Sequence, residues 1–340
     1  MRCDIIIPIW NRKELTSRCI DSIIKNTRFG YRIIAVDNAS DRPTQEYLFS
    51  LKDKPDLNFL LIRNEENLGN TKAVNQGMKA SDADFVCILD NDTVVAKGWL
   101  SEMAAIARLH DDIGIVSPSS RKKKVPESSI PEYVTERGVE VAKNRGQWIE
   151  VGACVGFCTL VKHKVIDKIG VWDEDFSPGY FDDTEYSWRA NKNGFKSVIA
   201  RGAYVYHAEH SSFRSKNLEK IFKRNEKLFY KKVGRTKRFL YVITKNNKEF
   251  FTKLKEESYE TVNNLNWVTF FSRSYIGGLG LADHARIKKV SMSPFFFRIR
   301  VIFKVLVKKK KYTDIYVDDI LLYRILKIFT KFYMANLNLF

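Results

Sequence analysis

The chain has 340 residues, 44% of them hydrophobic and 29% charged, which is enough to bury a large core and too apolar for wholesale disorder. Its 58 Lys and Arg outweigh 40 Asp and Glu, and the net charge of +18 implies an anionic partner: nucleic acid, an anionic membrane surface or a phosphorylated small molecule. The opening MRCDIIIPIWNRKE has too short an apolar run for a signal peptide, and no stretch is long and apolar enough to predict a spanning helix, so the cytoplasm is the expected compartment.

In chain order, Asp4–Trp10 is a short β-branched run that predicts a buried strand, with Pro8 near its end. Residues 14–25 place Leu15, Cys19, Ile20, Ile23 and Ile24 at helical spacing. A second strand is predicted at Tyr31–Asp37, a helix at Thr44–Leu51, a third strand at Asn58–Ile62 and a helix after Asn67-Leu68-Gly69. Asp84–Leu89 is a fourth buried strand and runs into Asp90-Asn91-Asp92. This alternation predicts an α/β domain with a mostly parallel sheet, whose ligands gather at the carboxyl ends of the strands. Asp37 and Asp90–Asp92 both fall at such ends.

Residues 110–150, with Arg121-Lys122-Lys123-Lys124 followed by Pro126 and Pro131, read as a loop or a short antiparallel excursion. A helix is predicted at Lys164–Ile169 and a strand at Ala200–His207. Between them, Trp172–Gly194 is dense in acids and aromatics. Cys3, Cys19, Cys87, Cys154 and Cys158 form an odd, scattered set that reads as reduced thiols. Cys154 and Cys158 lack a second Cys/His pair at zinc spacing, so packing is the expected role.

The two carboxylates of Asp90-Asn91-Asp92 can share a hard divalent cation whose oxygen shell is completed by substrate phosphates. Such a cation neutralises the charge that develops on a nucleoside-diphosphate leaving group. The same residues could equally cap a turn. Context decides between the two. Pro8-Ile9-Trp10-Asn11-Arg12, Val36-Asp37-Asn38-Ala39-Ser40, Asn67-Leu68-Gly69 with Asn75 and Gly77, Asp90-Asn91-Asp92, and Asp182-Asp183-Thr184-Glu185 with Trp188-Arg189 follow one another in order. The set resembles the inverting family 2 glycosyltransferases of the GT-A fold over about residues 3–215, and most of all their rhamnosyltransferase-like bacterial members.

That resemblance implies a Rossmann-like, mostly parallel sheet flanked by helices, a metal-dependent transfer from a UDP- or dTDP-sugar, and Mn2+ or Mg2+ as cofactor. Pro8, Trp10, Asn11 and Arg12 would form the loop under the nucleobase, and Asp37 would accept hydrogen bonds from a pyrimidine. Asn67 and Gly69 would lie near the nucleotide, where glycine permits close backbone approach. Lys72 could meet a phosphate or stay solvated. Asp90 would face ribose and metal with Asn91 beside it, and Asp92 and His207 would complete the metal set. Asp183 would be the base that deprotonates the acceptor, with Asp182 and Glu185 as alternatives. Asp182 stands where the family usually carries Glu, and Ser177–Tyr180 holds one residue more than the family pattern.

The pattern ends near Gly234, which divides the chain into a catalytic domain at 1–234 and a helical, basic extension at 235–340. Residues 281–340 hold 13 Lys and Arg against 4 Asp, about half of the total excess. Ser293-Pro294 predicts a helix start, and Arg300, Lys304, Lys308 and Lys311 form one stripe beside a wide apolar face. Residues 320–332 repeat the design with Arg324, Lys327 and Lys331. Such helices fit an anionic membrane interface, or alternatively the catalytic domain or a second subunit. The expected partners are thus a nucleotide-sugar donor, a glycan or lipid-linked acceptor and the inner membrane face, with a homo-oligomer as an alternative. A nucleic-acid-binding protein would explain the charge but not the acids at strand ends, so no nucleic acid is expected. A sugar-nucleotide-forming nucleotidyltransferase would need a glycine-rich phosphate loop after the first strand, which the sequence lacks.

Overall fold

Isoleucine on both faces makes Cys3–Ile9 a central strand, β1, and every one of its residues is buried. In the computed structural model, which describes residues 1–120, 125–208, 216–244, 248–273 and 284–340, the chain divides into two units, Met1–Val233 and Gly234–Phe340. Arg121–Lys124, singled out in the sequence, lie outside the described residues.

In the first unit β1 is followed by α1 (Lys13–Asn26), β2 (Tyr31–Asn38), α2 (Arg42–Lys52), β3 (Phe59–Asn64), α3 (Asn70–Lys79) and β4 (Phe85–Leu89). Next come β5 (Thr93–Val95), α4 (Trp99–Leu109), β6 (Ile113–Ser119), α5 (Ile130–Ala142), β7 (Trp148–Val151) and β8 (Cys158–Lys162). The unit closes with α6 (His163–Ile169), α7 (Asp182–Lys192), β9 (Lys196–His207) and α8 (Lys216–Val233). The sheet order is β3-β2-β1-β4-β8-β6-β9-β5, with β7 also on β9. The β3-β2-β1-β4 side is parallel, while β8 runs antiparallel between β4 and β6. Residues 110–150, read as a loop or a short antiparallel excursion, supply β6 and α5, and the apolar positions of α5 are spaced by charges.

Ile5, Ile7 and Ile9 face a core shared with α1, α2 and α4. Ile6 faces the opposite core, under α3, α6 and α7. Helix α3 approaches closely because Gly77 lacks a side chain, and a Cβ there would lie 2.4 Å from Ile6 Cγ2. In Gly77→Ala, overpacking of about 1–3 kcal/mol opposes about 1 kcal/mol of helix propensity, for a net loss of up to ~2 kcal/mol. We expect a lower denaturation midpoint at unchanged m-value. A raised midpoint would show that α3 has room to withdraw.

The second unit, expected to be a helical extension, is built on a parallel sheet. It comprises β10 (Arg238–Ile243), α9 (Lys248–Asn263), β11 (Trp267–Ser272), β12 (Ile287–Ser291), α10 (Phe297–Leu306), β13 (Asp314–Val317), α11 (Ile320–Ile328), α12 (Thr330–Tyr333) and β14 (Asn336–Leu339). All five strands are parallel, in the order β12-β11-β10-β13-β14. Helix α10 starts three residues beyond the expected Pro294 and ends at Leu306, so Lys308 and Lys311 leave the basic stripe. Lys311 turns back to donate to the Leu306 carbonyl at 2.7 Å. No helix of the described residues is long and apolar enough to cross a membrane.

Candidate active site

The parallel register sets Ile9 beside Asp37 and Ile6 beside Ile88, so Asp37 and Asp90 emerge at the same carboxyl edge with β1 between them. Two strand spacings separate them, about 10 Å. Beyond β1 the chain turns through two left-handed residues, Asn11 and Arg12, with φ of 59° and 65°. Asparagine tolerates this conformation better than most residues. The Asn11 N–H donates to Ser40 Oγ at 2.8 Å, and Asn11 Oδ1 accepts from the Asp41 N–H at 2.7 Å. The turn leaves Trp10 half exposed over a cavity of about 540 Å³ bordered by Asn11, Arg12, Glu14 and Asp41. That volume suits a small ligand.

Asp37 lies beneath, 1% exposed, accepting from the Ser40 N–H at 2.9 Å and paired with Arg63. Asn38 joins this edge to the next loop, donating to the Gly69 carbonyl at 3.1 Å. Asn67 is exposed and caps its own turn, accepting from the Gly69 N–H at 2.9 Å. The open space at Gly69 is filled by protein: a Cβ there would meet Pro178 at 2.6 Å, and its φ of +86° also favours glycine. Lys72 is exposed on α3. Asn91 turns to α1, where its amide donates to Thr16 Oγ1 at 2.9 Å.

The antiparallel pairing of β5 with β9 places Thr93 opposite His207. His207 Nε2 thereby comes 3.1 Å from Asp92 Oδ1 and 3.6 Å from Asp90 Oδ2. One ligand atom from each of the three residues lies within 4.8 Å of the other two. Their side chains are 30% (Asp90), 13% (Asp92) and 23% (His207) exposed, so a solvated ion can reach them. The His207 ring stacks on Phe157 at 5.0 Å, with 9° between the planes. Burial pushes the Asp90 carboxyl up to about 6; His207 opposes the shift, while Asp92 and Asp183 add to it. Two carboxylates and an imidazole form a donor set that fits Mn2+, and Mg2+ through its oxygens.

Asp182 and Asp183 open α7 after two further left-handed residues, Tyr180 and Phe181, with φ of 74° and 69°. Bulky side chains adopt this conformation only when the surroundings impose it, at a cost of order 1–3 kcal/mol each. Helix α8 imposes it here. Its fully buried Asn225 donates to the carbonyls of Phe176 at 2.6 Å and Gly179 at 2.7 Å, and Phe181 packs against Phe222 and Phe229.

The two acids then diverge. Asp182 is buried and accepts from Thr71 Oγ1 at 2.7 Å. Asp183 is half-buried, accepts from the Gly156 N–H at 2.7 Å and faces Asp90 closely enough to raise its carboxyl. Burial raises Asp183 too, against the Gly156 and Thr184 hydrogen bonds. Glu185 belongs elsewhere: it is buried in a bidentate pair with Arg189, which also donates to the Val171 carbonyl at 3.0 Å.

Asp182 makes stability depend on pH. Burial, then Asp183, push its carboxyl up to about 7, while Thr71 opposes them. The folded chain therefore holds this proton more tightly than the unfolded chain, whose Asp titrates near ~3.9. The resulting stability is complete below that unfolded value and is lost as pH rises through 7. In chelator, the melting temperature should fall from pH 5 to pH 8, and Asp182→Asn should flatten the fall. An unchanged slope in the variant would assign the dependence to other groups.

Residues 4–170 match the family model described as Glycosyl transferase family 2. The chain carries a glycosyl transferase family 2 domain. It is 25% identical over 195 residues to the poly-beta-1,6-N-acetyl-D-glucosamine synthase of Staphylococcus aureus (strain COL), covering 56% of this chain and 46% of that one. The chain thus spans about half the length of that relative. Among solved structures, a mannosyltransferase from Pyrobaculum calidifontis in complex with GDP-Man and Mn2+ is similar in fold, with TM-score 0.52 and 18% identity over 77% of this chain and 72% of that one. GalNAc-T7 with UDP, GalNAc and Mn2+ is similar at TM-score 0.55 and 14% identity, over 90% of this chain and 57% of that one. The likeness shows the fold: a GT-A type of α/β sheet.

Several positioning residues of the site carried no signal of their own in the sequence. Arg63, Thr71, Gly156, Phe157 and Asn225 act on Asp37, Asp182, Asp183, His207 and the turn before α7 respectively. A polar Thr71 on the buried face of α3 is the one hint that a reading of periodicity could have used.

Proposed function

We propose that the chain transfers a glycosyl unit from a nucleoside-diphosphate donor to a hydroxyl of a glycan or lipid-linked acceptor, with inversion, in surface polysaccharide assembly. The observation that carries this reading is the convergence of Asp90, Asp92 and His207 at one sheet edge with Asp183 facing them. Asp90, Asp92 and His207 would hold Mn2+ or Mg2+, which supplies electrostatic stabilisation of the departing diphosphate. Trp10, Asn11, Arg12 and the Asp37 edge form the floor on which a nucleobase rests. Asp183 takes the proton of the acceptor hydroxyl as its oxygen attacks the anomeric carbon. The bond from that carbon to the diphosphate oxygen breaks on the opposite face, which inverts the centre and leaves the proton on Asp183.

The relative's name supports N-acetylglucosamine as the transferred unit. A dTDP-deoxyhexose, implied by the rhamnosyltransferase-like motif order, is the competing donor. A screen of UDP-, dTDP- and GDP-sugars with Mn2+ or Mg2+, read as release of free nucleoside diphosphate, decides between them. No release from any donor under either metal would overturn the reading.

For the second unit we propose peripheral attachment to an anionic membrane face. Phe295 and Phe296, just before α10, and Ile299 and Phe303 on it are exposed, as are Arg300 and Lys304. Flotation with anionic vesicles should weaken as salt rises. Self-association without flotation would assign this face to a second copy instead.

A further inference from the structure

The amino edge of the second sheet holds a second cavity, of about 450 Å³, on the side away from the carboxyl ends of its strands. The first residues of three neighbouring strands wall it: Arg238 of β10, Trp267 and Thr269 of β11, and Lys288 of β12. The connection from α10 to β13 closes it with Lys308 and Tyr312. Among the described residues, no carboxylate lines this cavity and none forms an ion pair with Arg238, Lys288 or Lys308.

Arg238, Lys288 and Lys308, which line the cavity together with a fourth cation, Lys289, repel one another and lose stability unless an anion joins them. The repulsion is visible in the side chains. Burial, together with the charges of Arg238 and Lys288, pushes the Lys308 ammonium down to about 8. The cations shelter instead on aromatic rings: Lys308 Nζ lies 3.6 Å from the Tyr312 centroid, and the Arg238 guanidinium 5.3 Å from that of Trp267. Such contacts only partly offset lost hydration. Tyr312 is held in turn by a hydrogen bond to Thr269, which fixes the wall.

We propose that this cavity binds a phosphoryl or pyrophosphoryl group carried on a larger organic molecule. A guanidinium and two ammonium groups match a polyanionic phosphate in charge and donors. The volume exceeds a bare phosphate and leaves room for the group it esterifies. A soluble phosphate ester and an anionic lipid headgroup share this chemistry.

The test is calorimetry of the full chain with inorganic pyrophosphate, in chelator so that the Asp90–Asp92–His207 site cannot hold it through a cation. The parent protein should bind, and Lys308→Met should bind about 10-fold more weakly or worse, as expected for one lost charge-assisted contact. Because the variant relieves repulsion, its melting temperature should stay level or rise; Lys288→Gln, at an exposed position, gives a second reading should Lys308→Met fail to fold. Flotation with phosphatidylglycerol vesicles identifies the source. Vesicle binding lost together with pyrophosphate binding points to a headgroup, and vesicle binding retained points to a soluble ester. No pyrophosphate binding by the parent protein, or undiminished binding in both variants, overturns the proposal.

Discussion

Asp183→Asn is expected to retain nucleotide affinity and to lose glycosyl transfer by about 10²–10⁴-fold, the usual contribution of a general base. The substitution keeps the shape of the side chain but leaves one oxygen where Gly156 donates to Oδ2 and Thr184 to Oδ1, so one of these two hydrogen bonds is given up. What it removes is the ability to take a proton. The raised pKa of Asp183 favours that task, since a carboxyl nearer neutrality is a stronger base than an ordinary one. Asp182→Asn should act differently, because Asp182 is buried against Thr71 with no path to an acceptor, and its effect should fall on stability and not on rate. Glu185→Gln should also destabilise, as it breaks the buried pair with Arg189, at about 3–5 kcal/mol for such a loss. Parallel measurements of transfer rate and nucleotide affinity in the three variants decide the matter. Near-parental transfer by Asp183→Asn with an inactive Asp182→Asn would move the base by one residue, and activity in both would place it outside α7.

The second large effect concerns the cation. Donor binding in Mn2+ should weaken in Asp92→Asn and in His207→Ala beyond the 10–100-fold that changes around a metal's ligands typically cause. Asp92 Oδ1 and His207 Nε2 already stand 3.1 Å apart, so little rearrangement is needed to converge on an ion. Each residue lost leaves two groups, too few to hold a hard cation without the diphosphate. Removing His207 also deletes the group that opposes the raised pKa of Asp90, so Asp90 should hold its proton more tightly against a metal. Titration with UDP in Mn2+ and then in chelator gives the comparison. Equal affinity in chelator for the parent protein would show that the nucleotide is held by side chains alone. Phe157→Leu, which removes only the stacking partner of the imidazole, should cost far less.

The donor edge was legible because its chemistry is local. Acids directly after apolar runs can only emerge at strand ends, so Asp37 and Asp90–Asp92 declared their place. His207 was legible only through the order of the motifs, since a lone imidazole at a strand end has many uses. The supports were not legible, because each is separated from its partner by too much chain: Thr71 and Asp182 are 111 positions apart, and Gly156 and Asp183 are 27. Gly69 was assigned to nucleotide approach, whereas Pro178 occupies the space it leaves, a contact no spacing rule reveals. In the second unit, RFLYVI and WVTFFS are apolar strands of ordinary length. The dense charge around them drew the reading toward amphipathic helices, and Lys308 was placed on a helix stripe that ends before it.

The pairing of β5 with β9 also fixes when the site can first exist. Asp90 and Asp92 are made early, but their third partner arrives 115 residues after Asp92, and the Asn225 that sets the turn before Asp183 arrives later still. A chain emerging from the ribosome at about 5–20 residues per second therefore carries an incomplete site for several seconds after its first four strands are made. During that interval it has the acids without the imidazole, and the base without the clamp. Competence to hold a donor then appears abruptly, with the docking of β9 and α8. Nascent chains arrested before and after this point should differ sharply in nucleotide retention.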